Sequence, residues 1–131
     1  MNNYVNGKIA ETVACLYMIL KGYHIVCRNY VSGKGLGAGE IDFIATRRKT
    51  LVFIEVKKRK TLDDASYAIS KKQQERIIRG AKNFVKRNPF YRDYDMRFDA
   101  LLVAFPFYVK HLANAWSEWW KIKLNMLVKN L

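Results

Sequence analysis

The chain has 131 residues, half of them hydrophobic and 14% aromatic, with 24 Lys+Arg against 11 Asp+Glu for a formal charge of +13. That length fits one domain, 1–131, and that apolar content is enough for a packed core, which excludes a disordered basic tail. No run approaches the roughly 18–20 apolar residues of a membrane span, Met1 to Ala10 lacks a signal-peptide pattern, and Cys15 and Cys27, both set in apolar surroundings, read as buried thiols of a reducing compartment, so a cytoplasmic protein is expected.

In chain order, Asn6 can cap a first helix and Gly22 can end it. Between them Ile9, Val13, Leu16, Tyr17 and Leu20 recur at helical spacing, with other faces apolar too, so the helix reads as well buried. Tyr23 to Val31 is β-rich. The glycine-rich stretch 32–39 resembles a phosphate-binding loop in composition but lacks its residue order, and reads as a connection. Glu40 to Thr46 and Leu51 to Lys57 form a hairpin around Arg47-Arg48-Lys49-Thr50, without the usual turn residues. One face carries Ile41, Phe43, Ala45, Val52, Ile54 and Val56. The other carries Asp42, Ile44, Thr46, Leu51, Phe53, Glu55 and Lys57. Both are largely apolar, so helices should cover both sides of this sheet.

Ser70 and Gln73 have capping-box spacing, and a basic helix with an apolar stripe (Ile77, Ile78, Ala81, Phe84, Val85) runs on to Asn88-Pro89. Arg97 to Phe105 is a further buried strand, so strand, helix, strand suggests a crossover. A short strand follows at Tyr108 to Leu112. The segment 117–131 reads as a helical extension whose stripe begins at Trp116. Core packing is its simplest role, with a lid, a dimer surface or a membrane-surface helix as alternatives.

The positive charge falls in two clusters. Residues 47–60 hold Arg47, Arg48, Lys49, Lys57, Lys58, Arg59 and Lys60 against Glu55. Residues 71–87 hold Lys71, Lys72, Arg76, Arg79, Lys82, Lys86 and Arg87 against Glu75. Such one-sided charge is either a solvated face or a phosphate-backbone contact. Arg47, Arg48, Lys58, Arg59, Lys72, Arg76 and Arg79 are the candidate nucleic-acid contacts.

Asp42, Glu55 and Lys57 stand inside otherwise apolar strands, where an unpaired charge is costly. If 46 pairs with 51 and 44 with 53, Asp42 lies opposite Glu55, with Cβ atoms roughly 5 Å apart. Two carboxylates so placed repel, and a divalent cation between them removes the conflict. Lys57 lies on the same face, roughly 6–7 Å further along the strand. These parts suit metal-assisted phosphodiester hydrolysis. An ion pair of Lys57 with Glu55 or Asp42 explains them equally well. His24 and His111 read as isolated, and Asp99 as a partner of Arg97 or of a helix end.

Gly39-Glu40-Ile41-Asp42 followed by Phe53-Ile54-Glu55-Val56-Lys57 resembles the PD-(D/E)XK nuclease signature. Gly7-x-x-Ala10-Glu11, Gly22-Tyr23, Arg28-Asn29-Tyr30, Arg97-Phe98-Asp99 and Asn114-Ala115-Trp116 extend the resemblance to the bacterial YraN family, related to Holliday-junction resolvases. The resemblance implies a restriction-endonuclease-like α/β domain: a central mixed β-sheet flanked by helices, with an α-β-β-β-α-β core. It implies a Mg2+- or Mn2+-dependent endonuclease acting on DNA, with branched or junction DNA as a candidate substrate and a homodimer as a candidate assembly. The alternative is a nucleic-acid-binding protein that keeps the nuclease fold without catalysis. Asp42 and Glu55 would be metal ligands and Lys57 would position or activate the attacking water. Glu11 would complete the acidic cluster, although the helical pattern sets it opposite the Ile9/Val13/Leu16/Leu20 stripe. Gln73 would offer a polar side chain from the second helix. Glu40, placed on the face opposite Asp42, would play a supporting part.

Overall fold

The computed structural model describes residues 3–33, 39–59, 69–104 and 108–116, with only the backbone of residues 3–6. The glycine-rich link at 34–38 and the segments 60–68, 105–107 and 117–131 lie outside the described residues, and with them the expected helical extension. The elements run α1 (Asn3–Leu20), β1 (His24–Ser32), β2 (Gly39–Arg47), β3 (Thr50–Arg59), α2 (Lys71–Arg87), a 3-10 turn (Pro89–Tyr91), β4 (Asp95–Ala104) and β5 (Tyr108–Leu112). The five strands lie in the order β1-β2-β3-β4-β5. All neighbours are antiparallel except β3 and β4, which α2 joins as a parallel crossover. This is the mixed sheet of a restriction-endonuclease-like α/β domain. Among the described residues no helix is long and apolar enough to cross a membrane.

The sheet is covered on both sides, as its two apolar faces require. Phe43, Ala45, Val52, Ile54, Leu101 and Val103 pack under α1. Ile44, Leu51, Phe53, Phe98 and Ala100 pack under α2. The hairpin register matches the sequence pairing, with Thr46 opposite Leu51 and Ile44 opposite Phe53, but the turn is tighter than expected. Arg47 pairs with Thr50, leaving Arg48-Lys49 as a two-residue turn, and Arg48 takes a left-handed φ of +56°. Arg48 adopts that conformation at a cost that glycine or asparagine would avoid, so the sequence carries no turn signal there.

Helix α1 departs most from its sequence pattern. It begins at Asn3, so Asn6 lies inside it and not at its start: no residue between them breaks a helix. Its end is as expected. Tyr23 N–H donates to Met18 O and Gly22 N–H to Ile19 O, with Gly22 at φ +95°, the paired bonds of a Schellman cap. The buried face is Ala10, Ala14, Cys15 and Met18, whereas Leu16 and Leu20 are 55% and 87% exposed. Two alanines let the helix axis sit close to the sheet, and the larger Ile9, Leu16 and Leu20 are displaced to the rim. The helix is thus not well buried all round, and Cys27 of β1 is only half-buried. Glu11 shares a helical face with Cys15 and Met18 (i, i+4, i+7), so it lies on the sheet side and not opposite it.

Helix α2 begins at Ser70, whose Oγ accepts Gln73 N–H at 3.2 Å, and ends at Asn88, whose side chain donates to Phe84 O. Its approach to β2 depends on two glycines. A Cβ built on Gly39 would stand 2.5 Å from Gly80 Cα, and one on Gly80 would press on Ile41. Glycine inside a helix costs on the order of 1 kcal/mol relative to alanine; here it lets the middle of α2 lie against the start of β2. Gly39→Ala should push the helix off the sheet and destabilise the fold by about 2 kcal/mol. The check is thermal unfolding, with a fall of roughly 8 °C in Tm.

Candidate active site

Regular pairing of β2 with β3 ends at Phe43 and Ile54, one step before Asp42 and Glu55 would pair. Strand β2 turns over at that point. Ile41 joins the α2 side with Ile44, while Phe43 faces α1, against the regular alternation that puts Ile41 and Phe43 together. The Asp42 carboxylate fills the gap in the ladder: its Oδ2 accepts Val56 N–H at 2.7 Å. The strand interruption therefore aims Asp42 toward Glu55.

Asp42 and Glu55 open into one cleft of about 200 Å3, lined also by Glu40, Gln73, Arg76 and Ile77. Lys57 Nζ lies 3.4 Å from Glu55 Oε1, and both side chains are more than four-fifths buried. Across the cleft, Arg76 pairs with Glu40 at 2.5 Å on the rim. The structure thus brings Asp42, Glu55, Lys57, Gln73 and Arg76 together. Glu40 joins them on the same side as Asp42, not on the opposite face. Glu11 is not among the lining residues, but its charge is felt at Asp42.

Burial pushes the Asp42 carboxyl up to about 6, with Glu11 and Glu40 adding to the rise and the Val56 N–H bond and Lys57 opposing it. Burial likewise raises Glu55 to about 7, helped by the charge of Asp42 and opposed by Lys57. Two buried carboxylates, the charge of Asp42 making Glu55 harder to ionise, suit a hard divalent cation as donors. Among the described residues no three His, Cys, Asp or Glu side chains gather for a metal, so the pair itself is what could hold one. Magnesium binds through one or two carboxylates and retains waters, so two donors fit it.

The pair makes stability depend on pH. Both folded-state values lie above the unfolded ones near 4, so their contribution is full below about pH 4 and is lost as pH rises through 6 to 7. Without added metal the protein should lose roughly 4 kcal/mol between pH 5 and pH 8. Added Mg2+ or Mn2+ should restore more at pH 8 than at pH 5. Thermal unfolding against pH checks this, and an Asp42→Asn/Glu55→Gln double variant should flatten the slope.

The cationic candidates separate into two groups. Lys58, Arg59, Lys72, Arg76 and Arg79 stand on the ends of β3 and α2 that border the cleft. Arg47 and Arg48 stand at the hairpin turn, five and six residues along β2 from Asp42, a distance of roughly 17–20 Å. Arg47 lies over the Tyr23 ring, on the α1 side.

A second polar cluster sits under α1. Asp99 has no exposed surface. It accepts two bonds from Arg97 at 2.8 Å, one from Asn114 N–H at 3.1 Å, and contacts His111 Nε2 at 2.7 Å. Burial would raise its pKa, but the bonds from His111 and Arg97 outweigh it and hold the carboxyl below the usual range. The expected pairing with Arg97 is present. His111 is not isolated: strand β5 sets it against Asp99, and Lys21 Nζ lies 2.7 Å from its other ring nitrogen. A pairing across 12 residues between strands leaves no local pattern to read. No cleft residue belongs to this cluster, which joins β4, β5 and the end of α1.

The model of the uncharacterised protein family UPF0102 matches residues 10–103, a span that includes every residue of the cleft. A UPF0102 protein of Nitrobacter winogradskyi is 43% identical over 111 residues, covering 85% of this chain and 91% of the relative. One from Paramagnetospirillum magneticum is 43% identical over 84% of this chain and 85% of its own length. One from Rhodopseudomonas palustris (strain BisB5) is 42% identical over 87% of this chain and 84% of its own.

Proposed function

The chain belongs to the uncharacterised protein family UPF0102, and from the cleft at its β2–β3 edge we propose a magnesium-dependent nuclease that hydrolyses phosphodiester bonds of DNA. The observation that carries this reading is that Asp42 and Glu55, both largely buried, open into one cleft, with Lys57 3.4 Å from Glu55. Structure alone has little use for two repelling carboxylates at that point.

Asp42 and Glu55 would hold Mg2+ or Mn2+, which when bound supplies charge neutralisation at the phosphoryl oxygens and lowers the pKa of a water. Asp42 is fixed by Val56 N–H, so its free lone pairs point into the cleft. Lys57 offers an ammonium next to Glu55, where it can donate to an attacking water or a phosphate oxygen. Arg76 exchanges Glu40 for a phosphate, a bidentate partner its guanidinium suits. Gln73, on the first turn of α2, would offer its side-chain amide to the cleft. Glu11, behind Asp42, strengthens the negative field that attracts the cation.

The resemblance to Holliday-junction resolvases makes branched DNA the first substrate to try, and a homodimer the form in which two strands would be cut. The experiment is incubation with linear, single-stranded, flap and four-way-junction DNA, with Mg2+ or Mn2+ and with chelator. Metal-dependent cleavage of at least one substrate is expected. Binding of every substrate without cleavage of any would leave the non-catalytic reading, and no binding at low salt would contradict both.

A further inference from the structure

Far from the cleft, the hairpin turn and the residues after α2 form a second basic surface with aromatic rings at its centre. The 3-10 turn Pro89–Tyr91 is pinned by Tyr91 N–H to Asn88 O, Arg92 N–H to Pro89 O and Tyr94 N–H to Tyr91 O. A chain of ring contacts leads outward from the core: Phe53 to Phe84, Phe84 to Tyr91 at 5.6 Å, and Tyr91 to Phe90 at 5.1 Å and Tyr94 at 5.1 Å. Phe90, at its end, is 74% exposed on this rigid turn. Lys49 of the hairpin caps Tyr94 at 5.0 Å. Arg48, Lys86, Arg87 and Arg92 are exposed in the same three segments, against the two acids Asp93 and Asp95.

Helix α2 joins this surface to the cleft. Lys72, Arg76, Arg79 and Lys86 recur at i, i+4, i+7 and i+14, on the side opposite the buried Ile77, Ile78, Ala81, Phe84 and Val85. At 1.5 Å per residue that stripe is about 21 Å long. It passes Arg76, which lines the cleft, and ends four residues before Phe90.

We propose that Phe90, backed by Tyr91 and Tyr94, is a stacking platform for an unpaired base of a nucleic-acid strand whose backbone follows the cations of α2 toward the cleft. This rests on the nucleic-acid part of the proposed function and not on cleavage. One exposed ring among cations suits a flat, polyanionic ligand, which binds through aromatic stacking and backbone charge. A protein partner would call for a wider apolar core. A platform for unpaired bases beside a hydrolytic cleft also favours substrates that combine duplex with single-stranded arms.

The test is fluorescence anisotropy at low salt in chelator, with a labelled oligothymidine of about 16 nucleotides and a duplex of the same length. Because Phe90 is exposed, Phe90→Ala should keep the Tm of the wild type. Its affinity for the oligothymidine should fall about tenfold, its affinity for duplex by less than about twofold, and Phe90→Trp should restore the first. Equal oligothymidine affinity of wild type and Phe90→Ala overturns the platform. So does a Phe90→Ala variant that changes only its sedimentation, since the ring then serves contact between proteins. Wild type that binds neither oligonucleotide contradicts the nucleic-acid reading as well. A platform effect without cleavage of any substrate leaves the platform standing and removes only the nuclease.

Discussion

Asp42→Asn and Glu55→Gln should each slow single-turnover DNA cleavage at least about 10^3-fold, because several kcal/mol of charge stabilisation would be lost at 1.36 kcal/mol per tenfold. These variants are chosen over alanine for a structural reason. Asparagine keeps an acceptor for Val56 N–H, which Asp42 satisfies at 2.7 Å, so no buried donor is orphaned. Each also removes one of two mutually repelling carboxylates, so metal-free stability at pH 8 should hold or rise. Loss of activity with equal or greater stability separates a chemical role from a structural one. An ion pair serving the fold alone would show the reverse: weakened folding and no activity to lose. Lys57→Ala should leave metal binding in place while slowing cleavage, since Lys57 touches Glu55 from the side.

Asp99→Ala should be the most destabilising single substitution in the described chain, at about 3–5 kcal/mol. Asp99 is fully buried and is the shared partner of Arg97, His111 and Asn114 N–H. Removing it leaves the Arg97 guanidinium, only one-fifth exposed, without its bidentate partner; its remaining bond is to Tyr23 Oη at 2.6 Å. Denaturant unfolding measures the loss. Because this cluster lies under α1, away from the cleft, cleavage by the folded fraction should survive at low temperature. A stable Asp99→Ala variant with abolished cleavage would instead place Asp99 in the chemistry.

The fold was largely legible in the sequence because its strongest patterns are local. The Asn88-Pro89 stop, the Ser70 cap, the β-rich runs and the Thr46–Leu51 register all depend on neighbours along the chain, and all hold. Helix α1 misled because periodicity reports which residues are apolar and not which are small. Ala10 and Ala14 decide the contact, so the sheet side turns by about one residue and takes Glu11 with it. The turn-over of β2 at Asp42 was illegible for a similar reason. It lies where α2 closes on β2, with Gly39 against Gly80, 41 residues away, and the alternation rule carries no account of a helix packed on a strand end. Within the cleft, Asp42, Glu55 and Lys57 stood out as charges in apolar runs. Arg76 was legible only as a basic phosphate contact and Glu40 only as a supporting acid set on the wrong face, until the two strands and α2 bring them together.

Binding of Mn2+ measured by calorimetry near pH 6.5, in buffers of different ionisation enthalpy, tests the assignment of Asp42 and Glu55 most directly. Both carboxyls are partly protonated there, so a cation they share must displace protons as it binds. Wild type should bind with net proton release, and the Asp42→Asn/Glu55→Gln variant should lose both the binding and the release. Equal Mn2+ affinity in that variant, or wild-type binding without proton release, would contradict a metal site built on these two residues.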